Sequence, residues 1–78
     1  MTMNPNRWEA RYSSSEMLYL EIAGHEVRCW LDHSPQNADR YTFDEVLAGA
    51  CDGGEVGCVF GAKVVEELKA AIRALPKP

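Results

Sequence analysis

The segment ACDGGEVGC, residues 50–58, contains residue types that could bind a metal, cycle between thiol and disulfide, or cradle a phosphate. Two cysteines, Cys51 and Cys58, bracket three glycines and two carboxylates. A phosphate-binding loop needs a lysine followed by a hydroxyl residue, whereas Lys63 is followed by Val64. The two carboxylates would also repel a phosphate. We therefore expect no nucleotide site in this segment.

A zinc site would have to recruit Cys29 and His33 beside these two cysteines. Six residues separate Cys51 from Cys58, whereas paired zinc ligands are usually separated by roughly two to four. A redox pair is also disfavoured, because neighbouring carboxylates raise the pKa of a thiol instead of lowering it. We predict no cofactor and no metal ligand, with a small zinc-binding module kept as an alternative.

The residues that could serve in acid–base or nucleophilic catalysis have simpler roles. His25 falls in an expected hairpin turn and His33 in a polar loop, where both rings would be solvated. Asp44 and Glu45 lie at a predicted helix start, where negative charge meets the positive end of the helix. We predict no catalytic residue and no enzymatic activity.

Charge is unevenly distributed along the chain, whose net charge is −4. Residues 32–60 hold six acids and one base, whereas residues 61–78 hold two acids and four bases. The acidic middle disfavours direct binding to nucleic acid. It could instead contact a protein with a basic, nucleic-acid-binding surface, although ordinary solubility also explains such charge. The candidate partner-binding carboxylates are Asp32, Asp39, Asp44, Glu45, Asp52 and Glu55.

The segments RWEARY and EMLYLEIAGHEVRCWL predict a three-stranded antiparallel meander. We place its second turn at Gly24-His25. A turn at Ala23-Gly24 would set Glu21 against Glu26, and like charges directly opposite each other destabilise a sheet. The predicted cross-strand pairs are Leu18 with Leu31, Tyr19 with Trp30, Leu20 with Cys29, Glu21 with Arg28, and Ile22 with Val27.

The first turn of the meander is predicted as a three-residue loop, Ser13–Ser15. Trp8 then lies opposite Leu20, and Arg7 lies opposite Glu21. Tyr19 and Trp30 project from the outer face as candidate interface anchors, unless a terminus or a homodimer partner covers them. The expected core face carries Trp8, Ala10, Tyr12, Leu18, Leu20, Ile22, Val27, Cys29 and Leu31.

Helices are predicted in the second half of the chain. Thr42 and Glu45 form a capping box that starts a short helix, which ends near Gly49. The segment GEVGCVF is either a short fourth strand or an irregular link. Apolar residues recur at helical spacing over residues 61–75, before Pro76. The predicted fold is α+β: a three-stranded meander, with this possible fourth strand, packed against a short helix and a longer C-terminal helix.

A chain of 78 residues predicts one domain, residues 1–78, with residues 1–5 and 76–78 frayed. No apolar run approaches the roughly 20 residues of a membrane span, and the first residues do not resemble a signal peptide. Three cysteines are an odd number, which does not suit a disulfide framework. We expect a cytoplasmic protein with reduced thiols and no membrane partner.

In size and acidity the chain resembles small phage-encoded anti-CRISPR and anti-restriction proteins. This resemblance implies an inhibitor that acts as a DNA mimic and occupies the DNA or RNA site of its target. We therefore predict a non-enzymatic protein-binding module, either a monomer or a homodimer. The alternatives are a small adaptor or homodimerising protein that uses Tyr19 and Trp30, and the zinc-binding module.

Overall fold

Alternating apolar and polar residues build a four-stranded antiparallel sheet with strand order β1-β2-β3-β4. The computed structural model describes residues 6–75, so the predicted fraying of residues 1–5 and 76–78 lies outside the described residues. The strands are β1 Arg7–Ser13, β2 Glu16–Ala23, β3 Glu26–Leu31 and β4 Asp39–Thr42, and a short 3-10 turn covers Pro35–Asn37. The helices are α1 Phe43–Leu47, α2 Glu55–Phe60 and α3 Ala62–Ala74.

The predicted register of the β2–β3 hairpin is confirmed. Tyr19 lies opposite Trp30 and Ile22 lies opposite Val27, and the other predicted pairs of this hairpin are also present. Gly24 has a φ of 65°, a conformation that suits the first central position of a type II′ turn and that glycine adopts without strain. The turn therefore places Leu18, Leu20 and Ile22 on the same face as Val27, Cys29 and Leu31, and leaves Tyr19 and Trp30 on the opposite face.

The turn between β1 and β2 differs from the prediction. Ser13 pairs with Glu16, and the register shifts between Arg11 and Ser13, so the loop is two residues long and Tyr12 lies in a bulge. The Ser13 hydroxyl also donates to Glu16 Oε1 at 3.2 Å, a side-chain bond across the same pair. Because of the bulge, Tyr12 is 45% exposed, and its predicted place in the core is wrong.

The fourth strand, Asp39–Thr42, lies where the sequence analysis predicted no strand. Asp39–Thr42 pairs with β3, and Tyr41 lies opposite Val27 on the core face. The alternatives for GEVGCVF, a fourth strand or an irregular link, are wrong, because this segment is α2. Its apolar residues Val56, Val59 and Phe60 follow helical spacing and pack on the core.

The predicted capping box starts α1. The Glu45 amide donates to Thr42 Oγ1 at 3.1 Å, and Glu45 Oε1 accepts from the Thr42 amide at 2.8 Å. These two bonds satisfy backbone donors that the first helical turn leaves without partners. The helix is short because Gly49, with a φ of 105°, follows closely.

The helices cover one face of the sheet and bury its apolar residues. The C-terminal helix, predicted over residues 61–75, spans Ala62–Ala74 and buries Val65, Leu68 and Ile72. Within residues 6–75, no helix covers the opposite, outer face. The buried apolar side chains are Leu18, Leu20, Ile22, Val27, Cys29, Val46, Cys51, Val56, Val65, Leu68 and Ile72.

Gly57 lets α2 approach the segment that precedes it. A Cβ atom built there would meet the Cys51 carbonyl oxygen at 2.8 Å and also clash with the Asp52 carbonyl. We expect Gly57→Ala to lower the free energy of unfolding by roughly 1–3 kcal/mol, because backbone must move to admit the methyl group.

Gly53→Ala is the matched control, because a Cβ at Gly53 would meet no atom within 4 Å. Urea denaturation of the two variants and the wild type measures the difference. Equal stability of the Gly57→Ala protein and the wild type would contradict the close approach.

Candidate functional site

Three of the predicted carboxylates lie at one end of the sheet, which we call the acidic end: Asp32, Asp39 and Glu55. Asp32 directly follows β3, and Asp39 begins β4 opposite Cys29. Glu55 begins α2, where the positive end of a helix favours a negative side chain. All three residues are exposed. They are up to 23 positions apart in the sequence, and the fold brings them to the same end of the sheet.

A groove of about 260 Å³ opens at the acidic end. Burial, then the carboxylates of Glu55 and Asp39, raise the pKa of the Cys29 thiol from 9.0 to about 12. The same carboxylates add to the effect of burial on Tyr41, whose pKa is also raised. The negative charges of Asp39 and Glu55 therefore both act on the groups in and beside this groove. The groove is lined by Leu18, Cys29, Trp30, Leu31, Ser34, Asn37, Asp39 and Glu55.

The two buried thiols, Cys29 and Cys51, are unsuited to nucleophilic chemistry, which requires a lowered pKa. Burial, followed by Asp52, raises the pKa of Cys51, and Lys69 only partly opposes this. Cys29 lies in the core, as predicted from the sequence, and Cys51 is buried as well, whereas Cys58 is exposed. Among residues 6–75, no group of three or more histidine, cysteine, aspartate or glutamate side chains is arranged to hold a metal.

Both histidines are exposed, in keeping with their predicted positions in turns. His25 belongs to the turn between β2 and β3. His33 Nε2 lies 3.7 Å from the carboxylate of Asp32. Within the described part of the chain, neither ring is hydrogen-bonded to a serine or cysteine side chain.

Two other predicted carboxylates, Asp44 and Glu45, lie away from the acidic end. They follow β4 at its far end, beside Thr42, which pairs with Glu26. The Glu45 carboxylate accepts the hydrogen bond from the Thr42 amide in the capping box, whereas Asp44 is exposed in the first turn of α1. The six carboxylates therefore do not form one continuous patch.

Asp52 is neutralised by a partner on α3. Its Oδ1 lies 2.8 Å from Lys69 Nζ, and the Lys69 side chain is only 11% exposed. A buried ammonium group needs such a partner, because an unpaired charge loses its hydration without compensation. Asp52 thus serves the fold and contributes little to a charged surface.

The outer face of the sheet carries a cluster that the sequence indicated only in part. The Tyr19 and Trp30 rings stack with centroids 5.6 Å apart. The Arg7 guanidinium lies 5.0 Å from the centre of the Tyr19 ring, and that of Arg28 lies 6.0 Å from the centre of the Trp30 ring. We call these four residues the aromatic cluster. The predicted register places Arg7 and Arg28 opposite Glu21, which suggests ion pairs. In the structure the two guanidinium groups lie over the aromatic rings and stabilise the cluster by cation–π attraction.

Arg28 has an unusual environment. It lies between Glu21 and Arg40 on neighbouring strands. No carboxylate among residues 6–75 lies within ion-pair distance of it, and its buried Nε atom has no hydrogen-bond partner there. Arg40 instead pairs with Glu26 at 3.5 Å. Arg7, Arg28 and Arg40 thus lie in one row across the sheet, with Glu21 between the first two. Extending the predicted register into residues 39–42 would have revealed this row from the sequence.

The outer face of the sheet differs in charge from the rest of the chain. The outer face carries four arginines and three glutamates, a balance of +1, on strand positions that share one side. The rest of the sequence holds four bases and nine acids, a balance of −5. The arginines are Arg7, Arg11, Arg28 and Arg40, and the glutamates are Glu9, Glu21 and Glu26.

The chain matches no protein-family model, no curated protein and no solved structure. In residues 6–75, no helix is both long and apolar enough to cross a membrane. The function must therefore be argued from the charges and contacts described above.

Cys58 is expected to be the one thiol of the folded protein that reacts readily with iodoacetamide near neutral pH. Burial and neighbouring carboxylates keep Cys29 protonated well beyond that pH, because its pKa is raised to about 12. Mass spectrometry should find a single label, and Cys58→Ser should abolish it. Labelling of Cys29 at the same rate would show that the thiol is accessible and ionised, contrary to its position in the core.

Asp52→Asn should destabilise the fold by roughly 1–3 kcal/mol, because it leaves the buried ammonium of Lys69 without its counter-charge. Adding Lys69→Met should recover most of that loss, since both partners are then neutral. Urea denaturation of the wild type, both single variants and the double variant measures the coupling. Glu66→Gln serves as the control for an exposed acid on α3, and additive effects at residues 52 and 69 would contradict the pairing.

Proposed function

We propose that this protein is a non-enzymatic protein-binding module whose acidic end binds a basic, nucleic-acid-binding surface of another protein. The observation that carries the proposal is the convergence of Asp39 and Glu55 on one groove. No lysine or arginine among residues 6–75 lies within ion-pair distance of either carboxylate. Their charge is therefore available to a partner.

The binding would exclude nucleic acid from the partner. Lysine and arginine side chains that contact phosphates can also bind carboxylates, and long-range attraction would speed the encounter. Asp39 and Asp44 lie at opposite ends of β4, a strand roughly 10 Å long. A partner that contacts both carboxylates would need basic residues spread over a similar distance. In its most specific form, the proposal is a phage-encoded, DNA-mimicking inhibitor of the anti-CRISPR or anti-restriction type.

A binding role suits the chemistry of the site better than catalysis. The pKa of both core thiols is raised, and the histidines lie in exposed turns. A nucleophile needs an adjacent base and an orienting group. At the acidic end the Cys29 thiol is buried with a raised pKa, and no histidine lines the groove. The three free cysteines suit the reducing cytoplasm, which we propose as the compartment.

The test is capture of partners from a nuclease-treated lysate of the native host, followed by competition with added DNA or RNA. Asp39→Lys and Glu55→Lys should each weaken capture by roughly tenfold, and the nucleic acid should displace the captured protein. Glu66→Lys changes the net charge equally on an exposed position of α3 and should leave capture unchanged.

The salt dependence of capture provides the second measurement. Binding through exposed carboxylates should weaken as ionic strength rises, because salt screens their attraction. If the two reversed variants keep both the affinity and the salt dependence of the wild type, the acidic end is not the binding surface. Thermal unfolding of each variant confirms that a loss of capture is not a loss of fold.

The aromatic cluster supports a second candidate function, that of a small adaptor or homodimerising protein. Tryptophan, tyrosine and arginine dominate the binding energy of many interfaces, and here the four side chains already hold one another in place. A groove of about 170 Å³ beside them is lined by Glu21, Arg28, Trp30 and Pro35. A partner on this face would present carboxylates between apolar groups.

A further inference from the structure

The strand β1 lies at the edge of the sheet and has backbone groups available to pair with another strand. The Ile22 amide donates to the Asn6 carbonyl at 2.8 Å, which places even-numbered residues of β1 in the hydrogen-bonded pairs with β2. The backbone N–H and C=O groups of Arg7, Glu9 and Arg11 therefore point away from the sheet. Among residues 6–75, no other segment forms backbone hydrogen bonds with them. An edge of this length is a template for a further strand.

We propose that β1 pairs antiparallel with β1 of a second copy of this chain, with the two-fold axis at Ala10. In this register Glu9 of each copy faces Arg11 of the other, so the interface contains two opposite-charge pairs. Moving the axis to Glu9 would set Glu9 against itself and Arg7 against Arg11. Moving it to Arg11 would set two copies of that arginine face to face. Because like charges directly opposite each other destabilise a sheet, the charges exclude the registers centred on Glu9 and Arg11. A register centred on Trp8 would also pair opposite charges, Arg7 with Glu9, but it leaves Arg11 and Tyr12 outside the paired strands.

The exposed ring of Tyr12 supports the same register. Tyr12 is the large hydrophobic side chain that remains exposed among residues 6–75, at 45%. With the axis at Ala10, it faces Trp8 of the second copy, and aromatic pairs stabilise neighbouring strands. Trp8 is half-buried, with its indole N–H donating to Glu67 at 3.1 Å, so it offers a fixed surface. Dimerisation would cover both rings.

The resulting dimer has one continuous sheet of eight strands, built from two four-stranded sheets. The acidic end lies beyond β3 and β4, away from the paired edge, and remains open on both copies. The dimer therefore does not depend on the proposed function. It would, however, present two acidic ends to a symmetric partner.

A charge exchange at the edge tests the register. In sedimentation equilibrium, Glu9→Arg and Arg11→Glu should each weaken dimerisation by roughly tenfold or more, since each replaces attraction by repulsion. The double variant Glu9→Arg/Arg11→Glu should restore it. Glu66→Lys, on α3, is the control for altered net charge.

A disulfide at the two-fold axis tests the geometry independently. Two copies of residue 10 would form a non-hydrogen-bonded pair with Cα atoms about 4.5 Å apart, a separation that a disulfide can bridge. In a Cys58→Ser background, which removes the exposed native thiol, Ala10→Cys should form a covalent dimer on mild oxidation. Ser14→Cys, in the exposed β1–β2 turn, should form it much more slowly.

A monomer at every concentration, with no preferential cross-linking through residue 10, would overturn the proposal. So would a dimer that Arg11→Glu leaves intact, because a register centred on Trp8 pairs Arg7 with Glu9 and leaves Arg11 outside β1–β1 pairing. Dissociation by Trp30→Ala, with no response to the edge charges, would also overturn it and would favour dimerisation through the aromatic cluster.

Discussion

The β2–β3 hairpin register is the constraint on which the rest of the structure depends. The positive φ of Gly24 permits a tight turn that faces Leu20 with Cys29 and Ile22 with Val27. A shift by one residue would move every one of these side chains to the opposite face. The core, the pairing of β4 with β3, and the gathering of arginines on the outer face all follow from this register. The hairpin is also where local pattern and final structure agree most closely.

Agreement is high where short-range chemistry decides the structure. The capping box of Thr42 and Glu45 and the apolar stripe of α3 are local signals, and both elements form within a residue or two of their predicted bounds. The segment Asp39–Thr42 has no such signal, because it is polar except for Tyr41. It becomes a strand since β3 offers an unpaired edge and Val27 offers a place for that ring. Long-range pairing of this kind cannot be read from local alternation.

The helix α2 shows why a glycine-rich segment can mislead. Glycine lowers the intrinsic tendency to form a helix, so residues 54–60 resemble a turn or a link. In the fold, Gly57 is instead the residue that allows close contact with the Cys51 and Asp52 carbonyls. The carboxylates behave similarly: the sequence shows six, but Glu45 and Asp52 have partners within the chain. Candidate sites inferred from charge must therefore be reduced by the charges that the fold itself uses.

The arginines of the outer face show the same principle with the opposite result. The predicted register correctly places Glu21 opposite Arg7 and Arg28, yet both guanidinium groups lie over aromatic rings. Of the four arginines on the outer face, only Arg40 forms an ion pair with another residue in the range 6–75. A guanidinium over a ring keeps its N–H groups at the periphery, where they can still bind a carboxylate. The outer face thus keeps guanidinium donors that a closed network of salt bridges would have occupied. At the acidic end, Asp39 and Glu55 likewise have no lysine or arginine within ion-pair distance among residues 6–75. One small fold therefore carries unpaired positive groups on its outer face and unpaired carboxylates at one end.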